Sequence, residues 1–124
     1  MILLVEDEAE ARNAFAQILR NQGYVVMEAA DGLEALDLLE KRHFDLVITD
    51  ILMPNLNGFA LAARIRVKWP NIPIALTSAY LSQEAAKTML NGSVDFIPKP
   101  IDPAVLMATV QRLLHQSGSR GKHA

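Results

Sequence analysis

The sequence predicts an α/β protein in which a doubly wound sheet of five parallel strands carries five helices on its two faces. Five short apolar runs alternate with segments of helical periodicity along the 124 residues, and turn residues separate them at regular intervals. Strands that are separated by helices pair in parallel through right-handed crossovers. A chain of this length forms one domain and buries roughly two-thirds of its unfolded surface.

The five apolar runs are short, which is typical of strands. They predict strands, in chain order, at Ile2–Val5, Tyr24–Met27, Leu46–Thr49, Ile74–Thr77 and Val94–Ile97. The first, third and fourth runs are almost uninterruptedly apolar, as expected of strands buried on both faces, whereas the second and fifth carry polar breaks. Strands two and five are therefore expected at the edges, in the flavodoxin-like order 2-1-3-4-5, with the switch point between strands one and three.

Helix start and stop signals lie between the runs, with capping side chains at the starts and glycine, cations or proline at the ends. These signals predict helices, in chain order, over Ala9–Asn21, from Asp31-Gly32 to Lys41-Arg42, from Asn57 to before Pro70, from Ser82 to Asn91-Gly92, and from Asp102-Pro103 to near Gln116. Residues 1–116 are thus expected to form the domain. The Ser/Gly-rich residues 117–124 are expected to be a flexible tail or linker stub.

Composition excludes several classes of function. The chain contains no cysteine, so thiol nucleophiles, thiolate zinc sites and disulfides are ruled out, and a reducing compartment fits. A net charge of −2 without a basic stripe argues against direct binding of nucleic acid. The first apolar run is too short for a signal peptide, and Glu6 and Asp7 follow it at once. We therefore expect a cytoplasmic protein that does not bind membranes.

Polar side chains stand at the ends of four of the five predicted strands. Glu6 and Asp7 follow the first strand, Asp50 follows the third, Thr77 closes the fourth and Lys99 lies just beyond the fifth. The carboxyl ends of parallel strands meet at one edge of the sheet, where doubly wound folds bind their ligands. The pattern therefore predicts a phosphoryl site at that edge.

Three of these residues, Glu6, Asp7 and Asp50, are acids, and bringing carboxylates together raises at least one pKa unless a cation joins them. Oxygen ligands without Cys or local His select magnesium, manganese or calcium over zinc or copper. A site with few protein ligands favours magnesium, which leaves coordination free for phosphate oxygens. The acids therefore predict a Mg²⁺ site, with Mn²⁺ as the alternative ion.

Asp50 is the candidate nucleophile, because it follows the central strand and carboxylates form acyl phosphates. Lys99 supplies a flexible ammonium that can pair with Asp50 before the reaction and with a phosphoryl oxygen after it. Thr77 supplies a hydroxyl. Taken alone, a β-branched residue that merely ends a strand is the stronger interpretation of Thr77.

Four segments at the strand ends form a recognisable set: Val5–Asp7, Asp50–Gly58, Leu76–Ala79 and Asp95–Pro100. From Ile2 to about Gln116, the chain that carries them resembles a response-regulator receiver domain of two-component signal transduction. By that resemblance it is a phosphorylation-controlled signalling switch and not an enzyme. It would accept a phosphoryl group from a phosphohistidine of a sensor histidine kinase or phosphotransfer protein, and its partner-binding face would then change.

The resemblance also implies which residues bind the metal. Asp50 is the implied phosphoacceptor, and Glu6, Asp7 and Asp50 hold the Mg²⁺ together with the backbone carbonyl of Leu52. In the family, positions similar to Leu52 and Ala79 modulate how readily water reaches the acyl phosphate. A bulky apolar Leu52 is therefore expected to shield it.

By the same resemblance, Thr77 and Lys99 bind the phosphoryl oxygens, and the bond between Lys99 and Pro100 is the family's cis peptide. Thr77 and Phe96 are the implied switch residues. Phe96 occupies a position where tyrosine is frequent. A conformational readout here must therefore use ring packing without a hydroxyl.

The first half of the last predicted helix is apolar nearly all round. Ala104 and Ala108 lie opposite its core-facing stripe, and Val105 and Met107 lie on the flanks. An exposed apolar band beside the fifth strand predicts a partner surface. The resemblance leaves open a homodimer through the face formed by the fourth helix, the fifth strand and the last helix.

Three other functions stay open. A phosphohydrolase would use Asp50 as nucleophile, but Leu52 stands where such hydrolases have a second Asp to protonate the leaving group. A pseudo-receiver would bind partners without phosphorylation, which the complete set of five polar residues disfavours. A nucleotide or flavin binder needs a glycine-rich phosphate loop after the first strand, and the sequence has none there.

Overall fold

The computed structural model of the protein describes residues 1–81 and 94–123. Its strands are β1 (Ile2–Val5), β2 (Val26–Ala29), β3 (Leu46–Asp50), β4 (Ile74–Ser78) and β5 (Asp95–Pro98). They form one parallel sheet in the order β2-β1-β3-β4-β5, which confirms the predicted topology. β2 and β5 are the edges, and the switch point lies between β1 and β3.

β2 lies further along the chain than the predicted Tyr24–Met27. The N–H of Tyr24 donates to the carbonyl of Leu19 at 3.3 Å, so Tyr24 belongs to the turn that closes the preceding helix. Residues Val26–Ala29 then pair with β1 along its whole length. The predicted bounds were wrong because the apolar run alone does not show how many of its residues belong to the turn after the helix.

Four helices lie among the described residues: α1 (Ala9–Asn21), α2 (Gly32–Lys41), α3 (Gly58–Lys68) and α4 (Pro103–His123). α2 and α3 begin at the predicted caps. Asp31 Oδ1 accepts a hydrogen bond from the N–H of Glu34 at 2.8 Å, and Asn57 Oδ1 accepts one from the N–H of Ala60 at 2.9 Å. None of the described helices is long and apolar enough to cross a membrane.

One predicted helix lies in the part of the chain that is not described, and the last one extends further than predicted. The helix predicted from Ser82 to Asn91-Gly92 lies outside the described residues. α4 continues to His123, past the end expected near Gln116. Gly118 and Gly121 lower the helix propensity of this segment but do not block a helix as a proline would. The division of the chain into a domain and a tail stays a prediction.

Each face of the sheet has its own apolar core. On one face, β1, β3 and β4 pack against α2 and α3 through buried side chains that include Leu3, Val47, Leu76, Leu39, Leu61 and Ile65. On the other face, the sheet packs against α1 and α4 through Ile2, Leu4, Ile48, Ile97, Phe15, Leu19, Leu106 and Val110. Successive residues of a strand point to opposite faces, so the central strands need apolar residues at every position.

The outer side of α4 is apolar near its start, as predicted. Ala104, Val105 and Ala108 are exposed, and Met107 is half-buried. The use of this band by a partner stays a prediction.

Candidate functional site

Three carboxylates meet at the carboxyl edge of the sheet, at the predicted switch point. Oxygen atoms of Glu6, Asp7 and Asp50 all lie within 4.8 Å of one another. Glu6 and Asp50 are buried, whereas Asp7 is exposed. Glu6 and Asp7 follow β1 and Asp50 ends β3, so two neighbouring strands bring the acids together.

Glu6 is fixed through its backbone and its side chain. Its N–H donates to the carbonyl of Ala29 on β2 at 3.1 Å. Its Oε2 accepts a hydrogen bond from the N–H of Glu8 at 3.2 Å, just before α1 begins. Only 3% of Glu6 is exposed, so its carboxylate depends on protein partners for the hydrogen bonds that water would otherwise supply.

Lys99 bridges two of the three carboxylates. Its Nζ lies 2.6 Å from Glu6 Oε1 and 3.0 Å from Asp50 Oδ2. Its N–H donates to the carbonyl of Ser78 on β4 at 3.0 Å, and its peptide bond to Pro100 is cis. The sequence predicted the pairing with Asp50 but not the shorter contact with Glu6, because strand-end position alone does not rank several acids by distance from a flexible lysine.

Burial and pairing change the acid–base properties of both partners. Burial raises the pKa of Glu6 above its ordinary value, and the hydrogen bonds from Lys99 and from the Glu8 N–H only partly oppose it. Burial lowers the pKa of Lys99, but the contacts with Glu6 and Asp50 outweigh burial and hold this pKa above its ordinary value. The lysine therefore stays charged and offsets part of the negative charge of the acid cluster.

Two close approaches hold the backbone between β3 and α3. A β-carbon on Gly58 would lie 2.4 Å from the carbonyl oxygen of Asp50, so only glycine fits there without a backbone shift. The Gly58 N–H also donates to the Ile51 carbonyl at 2.8 Å. Just before Gly58, Leu56 packs against the start of α2, where a β-carbon on Gly32 would lie 2.8 Å from Leu56 Cβ. The loop that leaves Asp50 is therefore packed against both α2 and its own strand.

A side-chain contact also ties this loop to the start of α2. Asn55 has a φ of 68°, in the left-handed region that Asn tolerates better than most residues. Its Nδ2 lies 3.3 Å from Oδ2 of Asp31, the cap of α2. Sequence reasoning missed this contact: Pro54-Asn55 signals a turn, but no local pattern identifies a partner so far away along the chain.

The two predicted switch residues lie away from the opening of the site. Thr77 is buried beside Asp50 in the β3–β4 register, and its carbonyl accepts a hydrogen bond from the N–H of Ile51 at 3.0 Å. Phe96 is half-buried against the core on the α2–α3 face. Both residues belong to neighbouring strands, which pair through Leu76 and Phe96.

The acid cluster opens into a cleft of about 650 Å³. The wall on α1 consists of Ala11, Ala14, Phe15 and Ile18. The loops after β3, β4 and β5 supply Leu52, Ala79, Tyr80, Pro100 and Ile101. Leu52 and Tyr80 are 55% and 84% exposed, so apolar side chains stand at the rim above a polar floor.

The donor set fits a small, hard divalent cation. Glu6, Asp7 and Asp50 offer three oxygen ligands, the kind that Mg²⁺ prefers. The exposed Asp7 gives an ion access from solvent. Leu52, whose carbonyl is the expected fourth protein ligand, borders the same cleft.

Comparison with known proteins identifies a single family along nearly the whole chain. The sequence profile described as the response regulator receiver domain matches residues 2–111. The chain is 34% identical over 118 residues to the sensor kinase CckA of Brucella abortus (strain 2308), an alignment that covers 93% of this chain. It is 35% identical over 114 residues to the transcriptional regulatory protein ZraR of Escherichia coli O157:H7, which covers 91% of this chain.

A solved structure agrees with these sequence relatives. The signal receiver domain of a signal transduction histidine kinase from Syntrophus aciditrophicus superimposes with a TM-score of 0.82 at 32% identity, covering 93% of this chain and 89% of the other. By contrast, the chain spans only 12% of the length of CckA and 26% of that of ZraR. The likeness to those two proteins therefore concerns one domain of each.

Proposed function

Since the chain belongs to the response regulator receiver domain family, we propose that it is a phosphorylation-controlled signalling switch whose Asp50 accepts a phosphoryl group. The donor is a phosphohistidine of a sensor histidine kinase or a phosphotransfer protein. In the transfer, a carboxylate oxygen of Asp50 bonds to phosphorus, and the bond from phosphorus to the histidine nitrogen breaks with its electron pair on nitrogen. The chain thus acts as a regulatory phosphoacceptor and not as an enzyme with its own substrate.

The placement of Asp50 between acids and an ammonium group carries this proposal. Its carboxylate is buried, clusters with Glu6 and Asp7, and lies 3.0 Å from Lys99 Nζ. Gathering like charges at low exposure opposes folding, so the arrangement is better explained by function than by stability. The positive charge of Lys99 lowers the repulsion between Asp50 and an incoming phosphoryl group.

We assign Mg²⁺ to Glu6, Asp7, Asp50 and the carbonyl of Leu52, with Mn²⁺ as the alternative ion. When bound, the ion supplies positive charge that offsets the repulsion between a carboxylate and a phosphoryl group. Glu6 would then share its carboxylate between the ion and Lys99. Asp7, the exposed member of the cluster, has no such competitor among its described contacts.

Lys99 and Thr77 are assigned to the phosphoryl oxygens. Lys99 Nζ already contacts the carboxylate that would carry the phosphoryl group, so a small movement brings it to a phosphoryl oxygen. Thr77 neighbours Asp50 on β4 but does not line the cleft. Its hydroxyl would therefore engage only when the end of β4 moves inward, which makes Thr77 the candidate link between phosphorylation and Phe96.

Different surfaces would serve the donor and the output. The donor protein is proposed to pack into the cleft, where the apolar α1 wall stands beside Asp50. The apolar band of α4, formed by Ala104, Val105 and Ala108, is the proposed surface for an output partner or a second copy of the chain. A cytoplasmic location follows from this donor, since a histidine kinase draws its phosphoryl group from ATP.

The rival functions fit the site less well. A phosphohydrolase needs an acid to protonate its leaving group, and the position two residues beyond Asp50 is the apolar Leu52. A pseudo-receiver has no use for a buried acid cluster with a paired lysine.

Incubation with acetyl phosphate and Mg²⁺ distinguishes the signalling switch from a phosphohydrolase and from a pseudo-receiver. Intact-mass spectrometry should show one added phosphoryl group on the wild type and none on Asp50→Asn. Asp37→Asn, which removes an exposed aspartate on α2, is the matched control and should be phosphorylated like the wild type. A hydrolase would release phosphate over many cycles, and a pseudo-receiver would give neither result. An adduct that persists in Asp50→Asn would refute the assignment of the phosphoacceptor.

A further inference from the structure

Arg12, near the start of α1, contacts the peptide group that joins Glu6 to Asp7. Its Nη1 donates to the carbonyl oxygen of Glu6 at 2.9 Å. Its Nε lies 3.4 Å from Oε1 of Glu28 on β2. The guanidinium therefore connects the acid-bearing segment after β1 with the neighbouring edge strand.

The helix itself does not favour a cation at this position. The N-terminal end of a helix carries a partial positive charge, so cations are stabilised near the other end, where α1 has Arg20. Arg12 is also largely buried, with 21% of its side chain exposed. The contacts with Glu28 and with the Glu6 carbonyl compensate both the unfavourable position on the helix and the burial of the charge.

The contact restricts how the two acids are presented. The Glu6 carbonyl and the Asp7 N–H belong to one planar peptide group, which rotates as a unit. The Glu6 N–H on the other side of the residue is already bound to the carbonyl of Ala29. The backbone is therefore held by a hydrogen bond on each side of Glu6: its N–H is bound to Ala29, and its carbonyl is bound to Arg12.

We propose that Arg12, anchored by Glu28, is a positioning residue that orients the Glu6-Asp7 peptide for binding of a divalent cation. This inference rests on the proposed function, in which Glu6 and Asp7 bind Mg²⁺. Arg12 itself contacts neither the ion nor the phosphoryl group. It acts through the backbone carbonyl, in the way that groups behind metal ligands orient those ligands.

Arg20 provides a matched control on the same helix. Its Nη1 lies 3.0 Å from Oε2 of the same Glu28, and its Nη2 donates to the backbone carbonyl of Val26 at 2.9 Å. Arg20 thus makes the same two kinds of contact as Arg12, but at the start of β2 and away from the acids. A substitution of Arg20 removes equivalent interactions without touching the Glu6-Asp7 peptide.

The test compares Arg12→Gln, Arg20→Gln and Arg12→Lys with the wild type by three measurements. These are Mg²⁺ affinity from calorimetry, thermal unfolding, and the ¹⁵N shift of Asp7 in the metal-free protein. Arg12→Gln should weaken Mg²⁺ binding by about tenfold, the lower end of the effect of groups that orient metal ligands. It should also move the Asp7 shift. Arg20→Gln should also lower thermal stability, yet keep wild-type affinity and the wild-type Asp7 shift.

Arg12→Lys should fall between the wild type and Arg12→Gln, because an ammonium can bond the carbonyl but lacks the planar fork that also reaches Glu28. Wild-type Mg²⁺ affinity in Arg12→Gln would overturn the inference. Equal losses of affinity in Arg12→Gln and Arg20→Gln would also overturn it, since both losses would then follow from stability. A wild-type protein that binds no Mg²⁺ would refute the proposed metal site itself, and this inference with it.

Discussion

Lys99 lies closer to Glu6 than to Asp50, with its Nζ 2.6 Å from Glu6 Oε1 and 3.0 Å from Asp50 Oδ2. In the sheet order, β3 and β4 separate β1 from β5, so the lysine reaches back over two strands. One ammonium group therefore pairs with both a proposed metal ligand and the proposed phosphoacceptor. Binding of a cation at Glu6 has to compete with this contact.

Replacing Lys99 should separate metal binding from phosphorylation. Lys99→Ala is expected to bind Mg²⁺ no more weakly than the wild type, because the competing cation is gone. Phosphorylation by acetyl phosphate should slow by roughly 100-fold, the typical effect of losing one group that stabilises a transition-state charge. Lys99→Arg should not restore the rate, since a planar fork does not replace a compact ammonium. Calorimetry and mass spectrometry measure the two effects, and loss of Mg²⁺ binding in Lys99→Ala would contradict this division of roles.

Mg²⁺ affinity should fall as the pH is lowered. The pKa of Glu6 is raised above its ordinary value by burial, so protons occupy this carboxylate at a higher pH than they occupy an exposed glutamate. Affinity should therefore be highest above this raised pKa and decrease as the pH falls through it. Calorimetric titrations from neutral pH down to about pH 5 test this within the range where most proteins stay folded.

Glu6→Gln serves as the control for that titration. It should bind Mg²⁺ more weakly at neutral pH and lose part of the pH dependence, because Glu6 no longer exchanges a proton for the ion. An affinity that does not change with pH in the wild type would contradict the role of Glu6 as a ligand.

Gly58→Ala should destabilise the fold and disturb the site together. The added β-carbon would meet the Asp50 carbonyl oxygen at 2.4 Å, so the backbone must shift, at a cost of about 1–3 kcal/mol. Phosphorylation should slow because the shift displaces Asp50. Gly23→Ala is the comparison: it forces a β-carbon onto a φ of 91° in open space, so it should cost stability while phosphorylation is unaffected. The free energy of unfolding, from chemical denaturation, and the rate of phosphorylation measure the two effects. Wild-type values of both in Gly58→Ala would refute the close approach.

Thr77 and Phe96 should transmit phosphorylation to the surface formed by β5 and α4. Reversing a 99:1 preference between two packings needs about 5.5 kcal/mol, whereas one neutral hydrogen bond contributes about 1 kcal/mol. Thr77 therefore cannot drive the switch alone, and Lys99 and the ion must contribute. Thr77→Ala should still be phosphorylated at Asp50 but respond weakly, and Phe96→Ala should uncouple the response further.

Amide chemical shifts of residues 94–112, with and without beryllofluoride as a phosphoryl mimic, measure that response. Val67→Ala, which shortens an exposed side chain on α3, should respond like the wild type. Unchanged shifts in the wild type at full occupancy of Asp50 would refute the switch and leave the phosphoacceptor assignment intact.

The sequence by itself determined the strand order and which side chains reach the functional edge. Continuous apolar runs mark β1, β3 and β4 as central, because a strand buried on both faces needs apolar residues at every position. That order brings Glu6 and Asp50 to adjacent strand ends. Both conclusions depend only on local patterns and on the rules for joining parallel strands, so they needed no tertiary information.

Only the tertiary structure decided which polar groups pair across the site. Lys99 contacts Glu6 as well as Asp50 because the backbone after β5 is bonded to Ser78 and the side chain extends back over the sheet. Arg12 reaches the Glu6 carbonyl because α1 packs beside β2 and brings it next to Glu28. The sequence alone shows which helix or strand carries such a residue and at which edge of the sheet the residue lies. Their partners depend on distances of a few ångströms between elements, which long and flexible side chains can bridge in several ways.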